Sequence, residues 1–365
     1  MSGLINSLKN NVGDRTKMEK ESLLGANFAD LERKFTSIGL TKLDAKRVLP
    51  WIHVKCVSSF DAMTDVPQKV RSLLKENFFL ERPRCCNLQK SSDGTQKALL
   101  EFSDGHQIET VFIPDEKRNT ACLSTQVGCA MGCKFCHTGR QSFERNLRCD
   151  EIMAQVFFWK DRLPTLTELQ YPHLLNLVFM GMGEPLLNVA NLFQALELLL
   201  DEKNHNFSRN KVTVSTSGIV ENDLLQMAKF GIKLAISLHA PDDIKRNELM
   251  PINKKYNIAM LLDVAKEYLS RSNTEHVTFE YLLLSGINDS DDDACRLAKL
   301  LSGIRGKVNL ITFNSWNDST FSGCSRARAD AFLSILLSKG IRTIIRKSRG
   351  NDIAAACGQL KTTIK

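Results

Sequence analysis

Six apolar runs recur between residues 121 and 346, and amphipathic stretches separate them. The runs are Cys122–Val127, Leu174–Met180, Lys211–Ser215, Ile232–Leu238, Val277–Leu284 and Val308–Phe313, and a further run, Ile341–Ile345, follows them. Stretches such as Glu151–Trp159, Val189–Leu200, Asn257–Leu269, Asp291–Leu301 and Ala327–Lys339 repeat apolar residues at helical spacing. Near-continuous apolar strands that alternate with helices pair in parallel. The pattern therefore predicts an α/β fold with a partial, open (βα)6 barrel over residues 121–346.

The rest of the chain shows different patterns. Over residues 1–85, apolar positions recur every three or four residues, which predicts a helical accessory domain. Over residues 86–120, the turn signals Asp93-Gly94 and Asp104-Gly105 lie between apolar or alternating runs, which predicts a small β-meander as a linker. Residues 347–365 form a C-terminal tail in this division.

Three cysteines follow the first apolar run closely. Cys129, Cys133 and Cys136 form a C-x3-C-x2-C motif, with glycines at 128 and 132 that let the backbone wrap a ligand. Three thiolates can hold one soft metal centre, and a cubane iron–sulfur cluster held by three sulfurs leaves one iron open. This spacing is typical of radical S-adenosylmethionine (SAM) enzymes, in which SAM chelates the open iron.

Two other interpretations of the motif stay open at this point. Cys129, Cys133, Cys136 and His137 have the composition of a Cys3His zinc site, although the adjacent Cys136 and His137 would chelate one ion awkwardly. Cysteines that only pack in the core are the second alternative.

Composition fits an intracellular enzyme. The 365 residues are 43% hydrophobic and 25% charged, which is ordinary for a globular protein with a sizeable core. The first residues, MSGLINSLKNNVGDR, contain no long apolar run, so we expect neither a secretory signal nor a membrane anchor. Eleven dispersed cysteines do not resemble a secreted disulfide scaffold. We expect a cytoplasmic monomer.

The net charge of +8 raises the question of a nucleic-acid partner. Two basic groups stand out, namely Lys339, Arg342, Arg346, Lys347 and Arg349 near the C-terminus and Arg140, Arg145 and Arg148 after the cysteines. If both groups flank one cavity, they attract a phosphate backbone. A scattered, solvated surface is the alternative.

Glycines and short polar residues stand at the ends of the predicted strands, where such barrels carry their chemistry. They are Gly183 and Glu184 after the second strand, Ser215 in the third, Ser237, Leu238 and His239 at the fourth, and Asn314 after the sixth. Together they predict a pocket for a zwitterionic ligand that carries adenine, in which Glu184 receives the ammonium group of SAM. Considered alone, His239 is more often a buried structural histidine.

These motifs resemble those of the RlmN/Cfr family of radical-SAM RNA adenosine methyltransferases. The matching segments are residues 129–139, 181–188, 214–218, 235–241, 250–256 and 349–360, in the order of the family. The resemblance implies one 4Fe-4S cluster, two SAM molecules per turnover, and an electron donor such as flavodoxin or ferredoxin. The implied substrates are an adenosine in the peptidyl-transferase region of large-subunit rRNA and the anticodon-adjacent adenosine of some tRNAs. The motifs resemble the carbon-2 branch more than the carbon-8 branch.

Three positions match functional residues of the family. Cys357 matches the methyl-carrying cysteine, Cys122 the resolving cysteine, and Glu109 the proton acceptor. The resemblance implies that SAM methylates Cys357 and that a 5′-deoxyadenosyl radical from a second SAM takes hydrogen from the new methyl group. The methylene radical then adds to adenine, and Cys122 helps to resolve the protein–RNA adduct, leaving a Cys122–Cys357 disulfide. The segment 314–325 departs from the family because it lacks the usual prolines.

Two functions of other kinds compete with this one. A methylthiotransferase requires a second cysteine cluster in an N-terminal domain, and residues 1–80 contain only Cys56. A zinc-binding RNA assembly factor would use the same cysteines but would contain no iron or sulfide.

Overall fold

The structure is a computed structural model that describes residues 20–116, 118–166, 174–316 and 319–362. The chain divides between Glu81 and Arg82 into two compact units. This division lies slightly before the end of the helical domain predicted from the sequence. No helix in the described ranges combines the length and the apolar character needed to cross a bilayer.

Helices dominate the described part of the first unit. They are α1 Phe28–Thr36, α2 Lys42–His53 and α3 Gln68–Asn77. Asn27 and Thr41 begin α1 and α2 with capping boxes, which satisfy backbone N–H groups that a helix start leaves open. Two short parallel strands, β1 Glu21–Ser22 and β2 Phe78–Phe79, pair with each other. The helical character predicted for this region is confirmed.

A ten-stranded sheet forms the centre of the second unit. Its strands are β3 Arg84–Lys90, β4 Gln96–Glu101, β5 Gln107–Ile113, β6 Asn119–Cys122, β9 Leu174–Phe179, β10 Val212–Thr216, β11 Lys233–Ser237, β12 Val277–Leu283, β13 Gly306–Thr312 and β14 Thr343–Arg346. The spatial order is β14-β13-β12-β11-β10-β9-β6-β5-β4-β3. Pairing is parallel from β6 to β14 and antiparallel from β3 to β6. Separately, β7 Gln126–Val127 pairs with β8 Arg145–Asn146.

Helices connect the parallel strands. They are α4 Cys149–Arg162, α5 Val189–Leu200, α6 Asn222–Met227, α7 Asp243–Leu249, α8 Ile258–Arg271, α9 Asp291–Leu301 and α10 Arg326–Ser338. All seven residues of β12 are buried, as expected for a strand in the middle of a parallel sheet. Within the described residues the edge strands β3 and β14 do not pair, so the sheet is open. The predicted open (βα)6 barrel is confirmed, and β14 adds a seventh parallel strand to it.

The predicted strand Cys122–Val127 is wrong in its bounds, because the sheet strand ends at Cys122. Beyond that residue, the buried Gln155 amide accepts from Ser124 N at 2.8 Å and donates to Ser124 O at 2.9 Å. Asn188 Nδ2 donates to Thr125 O at 2.8 Å. Since side-chain amides satisfy these backbone groups, the segment leaves the sheet without a cost in lost hydrogen bonds.

Candidate active site

The cysteine loop is wound too tightly for side chains at its glycine positions. Gly128 and Gly132 have φ of +72° and +65°, a backbone conformation that residues with a Cβ rarely adopt. A Cβ at Gly128 would overlap the backbone of Ser142, and one at Gly139 would lie 2.8 Å from Cys133 O. The loop is therefore folded closely around the space that its cysteines border.

The three cysteines of this loop are close enough to affect each other. Burial, together with charges at Cys136 and Glu184, raises the pKa of the Cys129 thiol to about 12. Burial, followed by the charges of Cys136 and Cys129, also places the pKa of Cys133 well above its usual value. Thiols in such a position become thiolates only when a cation compensates them, which is the condition that iron meets.

The stacking of His137 on Trp316 does not favour the Cys3His zinc alternative. No group of three or more His, Cys, Asp or Glu side chains in the described ranges is arranged to hold a single ion. The His137 ring instead stacks on Trp316, with centroids 4.6 Å apart and an interplanar angle of 16°. In a cubane each thiolate binds a different iron, so three ligands need not converge on one point. The cysteines and the glycine-lined loop therefore fit a 4Fe-4S cluster.

Gly183 and Glu184 lie against this loop. The Gly183 N–H donates to the Cys129 sulfur, and a Cβ at Gly183 would lie 2.5 Å from Gln126 Cβ. Glu184 is buried, and its Oε2 accepts hydrogen bonds from Ser217 N at 2.7 Å and Ser217 Oγ at 2.6 Å. Burial raises the pKa of Glu184, whereas the Ser217 hydrogen bonds lower it. The carboxyl group is thus fixed beside the cluster loop, where an ammonium group would be stabilised.

Ser215 and Ser237 occupy adjacent strands near the same edge of the sheet. Ser215 pairs with Ala235, two residues before Ser237, and Ser237 pairs with Glu280. Because side chains alternate along a strand, both serines share one face of the sheet with Glu280. This is the arrangement that the sequence predicts for a ligand that lies across the strand ends.

Arg246 fixes the ends of these strands, and the sequence analysis missed it. Its side chain is completely buried, and Nη2 donates to Ser217 O at 2.8 Å and to Ser237 O at 2.9 Å. Nε donates to Leu238 O at 3.1 Å, and Nη1 to Asn253 Oδ1 at 2.7 Å. Burial lowers the pKa of Arg246 to about 10. A buried cation held by carbonyl groups shapes the loops that follow β10 and β11.

His239 is buried and adopts a left-handed backbone with φ of +55°. Its Nδ1 accepts a hydrogen bond from Leu282 N at 3.0 Å, and its ring meets the edge of Phe135 at a centroid distance of 4.8 Å. Burial, followed by the charge of Arg246, lowers the pKa of His239 to about 3. The side chain is therefore neutral and shapes the pocket wall, and the predicted contact of His239 with SAM stays a prediction.

The segment after β13 covers the cysteine loop. Asn314 is half-buried at its start. Trp316 Nε1 donates to Phe135 O at 3.3 Å, and Arg140 lies over the Trp316 ring at 4.8 Å. Trp316 thus holds this segment on the loop, in the place where the sequence lacks the prolines of the resembling family.

The C-terminal tail is seated on both the cluster loop and the neighbouring segment. His137 N donates to Gly358 O at 2.7 Å, and Thr138 Oγ1 donates to Leu360 O at 2.6 Å. Gln359 Nε2 donates to Ser315 O at 2.9 Å. These bonds bring residue 357 to the carboxyl ends of the strands, although it follows the last strand by eleven positions.

Cys357 and Cys122 lie beside one arginine. The Cys357 sulfur accepts a hydrogen bond from Arg346, and its charge is the largest cause of the raised pKa of Arg346. Burial, followed by the charge of Cys357, raises the pKa of Cys122 to about 12. A charge at Cys357 also raises the pKa of Cys136. The tail cysteine, the strand cysteine and a cluster cysteine therefore border one space.

Glu109 lies at the edge of the same space. It is buried, with Oε1 in an ion pair with Lys97 Nζ at 2.9 Å, and Oε2 accepts the Lys361 N–H at 2.8 Å. Burial raises the pKa of Glu109, whereas Lys97 lowers it. The sequence analysis did not identify Lys97, because a lysine in a short strand is usually solvated.

Several members of the two basic groups are paired with acids or lie far from the rest. Arg145 is paired with Glu151 at 2.8 Å and with Asp104 at 2.6 Å, and Arg148 is paired with Asp150 at 3.0 Å. On β14, Arg342 precedes the strand and Arg346 ends it, so the two arginines lie at opposite ends. For Arg145, Arg148 and Arg342 the structure therefore favours the alternative of charges scattered over the surface, because acids neutralise the first two and the length of β14 separates Arg342 from Arg346.

An open parallel barrel with a tight three-cysteine loop at the carboxyl ends of its strands defines a radical-SAM enzyme. In agreement, residues 123–298 match the Radical SAM superfamily, and residues 21–80 match the ribosomal RNA large subunit methyltransferase N-terminal domain.

Similar proteins narrow the assignment. The dual-specificity RNA methyltransferase RlmN of Francisella tularensis subsp. novicida is 44% identical over 351 residues, covering 94% of this chain and 93% of that protein. The RlmN of Roseobacter denitrificans is 42% identical over 350 residues, covering 93% and 89%. The crystal structure of a radical SAM methyltransferase from Sphaerobacter thermophilus superposes with a TM-score of 0.88 and 38% identity, covering 93% of this chain and 99% of that chain.

The chain belongs to the RlmN family, and the resemblance inferred from its motifs is confirmed. Enzymes of this family use a 4Fe-4S cluster and SAM. In this chain Cys129, Cys133 and Cys136 are the residues that would hold the cluster.

Proposed function

We propose that this enzyme methylates carbon 2 of adenosine in RNA. The proposed substrates are an adenosine in the peptidyl-transferase region of large-subunit rRNA and the anticodon-adjacent adenosine of some tRNAs. The description of the similar curated proteins as dual-specificity RNA methyltransferases supports RNA substrates. The match of the first unit to an rRNA methyltransferase domain supports a role for that unit in RNA binding. The observation that carries the proposal is the placement of Cys357 beside both Cys122 and Cys136.

Adenine carbon 2 is electrophilic, so simple displacement cannot deliver a methyl group from SAM to it. When bound, the cluster and SAM supply a 5′-deoxyadenosyl radical, while the protein positions the reacting atoms and excludes water. The sulfur of Cys357 is the nucleophile that accepts the methyl group beforehand. Arg346 donates to this sulfur and so holds it in the shared space.

Glu109 is the proposed proton acceptor for carbon 2. Its carboxyl group is buried beside the tail, and burial raises its pKa. A carboxylate with a raised pKa is a stronger base than an exposed one, which suits proton abstraction from the carbon once it is bonded to the Cys357 methylene. The unpaired electron of that adduct would pass to the oxidised cluster, which would have given up one electron to cleave SAM.

Cys122 is the proposed resolving residue. Its thiolate attacks the Cys357 sulfur, the bond between that sulfur and the methylene carbon breaks, and the carbon takes a proton to become the product methyl group. A Cys122–Cys357 disulfide remains, and a reductant must reopen it by thiol exchange.

The central experiment uses anaerobically purified enzyme, SAM, a reductant and RNA, with mass spectrometry of the adenosines. Cys357→Ala is expected to abolish methylation, by at least about 10³-fold, and to leave iron and sulfide content unchanged. Cys295→Ala is the matched control, because Cys295 is exposed on α9. Full methylation by the Cys357 variant would disprove the proposed role.

A second variant tests the resolving step. Cys122→Ala is expected to accumulate a covalent protein–RNA species that migrates slowly in a denaturing gel. Release of free methylated RNA at the normal rate would contradict the role of Cys122. The same mass spectra distinguish 2-methyladenosine from 8-methyladenosine, which is the product of the alternative branch.

The remaining parts of the proposal concern partners and setting. We propose flavodoxin or ferredoxin as the electron donor, and a monomer in the cytoplasm. The wide dispersal of eleven cysteines along the chain supports a reducing compartment.

A further inference from the structure

Basic residues stand at the amino ends of nearly all the parallel strands. Arg118 precedes β6, Lys211 precedes β10, Lys233 begins β11, His276 precedes β12, Lys307 is the second residue of β13, and Arg342 precedes β14. We call these six residues the basic mouth. Because parallel strands start at one edge of the sheet, the basic mouth lies at the end opposite the cysteine loop.

The strand register places the central lysines on the concave inner face. Lys233 and Ser237 are four residues apart on β11, and Lys307 pairs with Thr278, two residues before Glu280. Since Ser237 pairs with Glu280 and side chains alternate along strands, both lysines point to the same face as these two residues. Both are half-buried, so they line the opening of the barrel.

The members of the basic mouth face one another. Burial lowers the pKa of Lys233, and the charges of Lys307, Lys211 and Arg118 lower it further. Besides burial, the charge of Arg118 also lowers the pKa of Lys307, although the strands that carry these two residues are five positions apart in the sheet. In a flat sheet they would be about 24 Å apart, which is too far for a substantial interaction. The curvature of the sheet therefore brings these cations together around one opening.

Glu275 and Glu280 offset the charge of Lys233 and Lys307 only in part. Within the described ranges, none of the five lysines and arginines of the basic mouth forms an ion pair. Glu275 approaches His276 at 4.0 Å, but 90% of its side chain is exposed. The buried Glu280 lies further along β12 and acts on both Lys307 and Arg346. Cations gathered at one half-buried opening repel one another, so the basic mouth weakens the fold and calls for another explanation.

We propose that the basic mouth binds phosphate groups, at a site separate from the cysteine loop. A concave opening lined with charges of one sign focuses the field and concentrates anions. The ammonium groups of Lys233 and Lys307 suit phosphate oxygens, and the curved opening suits a short chain of two or three phosphates. The source is either the RNA backbone or a free polyphosphate such as that of a nucleotide. This inference does not depend on the methylation proposed above.

Calorimetric titration of the full-length protein with inorganic tripolyphosphate tests the site. The native protein is expected to bind saturably, and Lys233→Gln/Lys307→Gln is expected to weaken binding at least tenfold. Lys203→Gln/Lys299→Gln removes the same net charge at exposed positions and is expected to bind like the native protein. The absence of saturable binding, or equal loss in both double variants, would overturn the proposal.

Thermal unfolding without phosphate provides a measurement that does not depend on a ligand. Lys233→Gln/Lys307→Gln is expected to unfold at a higher temperature than the native protein, because it removes repulsion between neighbouring cations. Tripolyphosphate is expected to raise the unfolding temperature of the native protein and of the control, but not of this variant. A lower unfolding temperature of the variant without phosphate would contradict the account of the basic mouth.

Fluorescence anisotropy with a labelled tRNA transcript identifies the source of the phosphate. If RNA supplies it, Lys233→Gln/Lys307→Gln weakens RNA binding, reduces the log–log salt slope by about 1.5 relative to the native protein, and makes tripolyphosphate a poorer competitor. If a free polyphosphate supplies it, RNA binding equals that of the control variant while tripolyphosphate binding is still lost. Methyltransferase assays of the same variants show separately whether the reaction is affected.

Discussion

Charged side chains at the two ends of the barrel differ in the partners that the protein provides for them. At the carboxyl ends of the strands, each buried charge has a neighbour that balances it, as Glu184 has Ser217 and Arg246 has the carbonyls of three residues. At the amino ends, Lys233 and Lys307 face several further cations, which the more distant Glu275 and Glu280 offset only in part. The first arrangement is complete in the protein alone, and it suits a reaction that demands fixed geometry. The second becomes favourable only with an added anion.

This difference shows that burial alone does not reveal what a polar group does. Arg246 is more deeply buried than Lys307, yet it is the better satisfied of the two, because four acceptors surround it. A structural charge here has hydrogen-bond or ion-pair partners within the protein, whereas a ligand-binding charge lacks them. Replacing single charged residues at each end of the barrel, and measuring stability, tests this distinction.

The largest difference in stability is expected between replacements of two arginines at opposite ends of β14. Arg346→Met should lower the free energy of unfolding by about 3 kcal/mol, because the buried Glu280 loses a facing cation. Arg342→Met, at the other end of β14, should change it by no more than a few tenths of a kcal/mol, or should stabilise the fold. Urea denaturation followed by circular dichroism compares the two. Equal losses of stability in the two variants would contradict the proposed difference between the two ends of the barrel.

An effect of intermediate size on the pH dependence of stability is expected from two histidines, His239 and His276. Folded His239 has a pKa of about 3, below the roughly 6.5 of an unfolded chain. Between these values only the unfolded state binds the proton, so stability falls as the pH decreases below about 6.5, by about 2 kcal/mol at pH 5.

His239→Asn keeps the left-handed backbone accessible and should remove most of this pH dependence. Burial and the charge of Lys307 also lower the pKa of His276, but this residue is only half-buried. His276→Asn should therefore flatten the pH dependence less. Urea denaturation at pH 7, 6 and 5 provides the comparison, and a larger effect at His276 would reverse it.

The smallest effect on stability is expected at Asp93, in the turn between β3 and β4, which accepts a hydrogen bond from the C-terminal tail. Burial alone would raise the pKa of Asp93, but hydrogen bonds from Thr95 and from Gly350 N, the latter at 3.0 Å, lower it to about 2. The stabilisation is present above about pH 4 and is lost as the pH falls towards 2. Asp93→Asn should cost about 1 kcal/mol at pH 7, after allowance for solvent screening.

Acid titration of unfolding checks this prediction. The Asp93→Asn variant should lose stability less steeply than the native protein between pH 4 and pH 2. Asp330→Asn, at an exposed helix position with an ion pair to Arg326, is the control and should follow the native curve. An unchanged slope in the Asp93 variant would show that the carboxylate does not hold the tail.

Most barrel strands could be predicted from the sequence, because strands buried on both faces need continuous apolar residues. The sequence was insufficient for β3, whose residues Arg84–Lys90 are largely exposed and show no apolar alternation. It also extended the first barrel strand too far, since nothing in the apolar run shows that Gln155 and Asn188 bind its backbone. Local pattern predicts burial, but not which partner satisfies a buried backbone group.

The three cysteines proposed to hold the cluster could be selected from the sequence because they occupy one short loop with a distinctive spacing. Arg246 and Trp316 could not, since a basic residue in a helix and an aromatic residue in a loop are common and have many explanations. The basic mouth was hidden for another reason. Its members are separated by tens of residues in the chain, and only strand direction and register bring Lys233 and Lys307 to one opening.

The bond between Glu109 and the tail has a consequence for the order of events. Oε2 of Glu109 accepts the Lys361 N–H, only four residues after Cys357. A shift of the last residues that carries the sulfur away from this position also releases that oxygen. While the tail stays in this position, this oxygen of the proposed base is occupied by a hydrogen bond. The same movement of the tail would therefore displace the Cys357 sulfur and free the Glu109 oxygen.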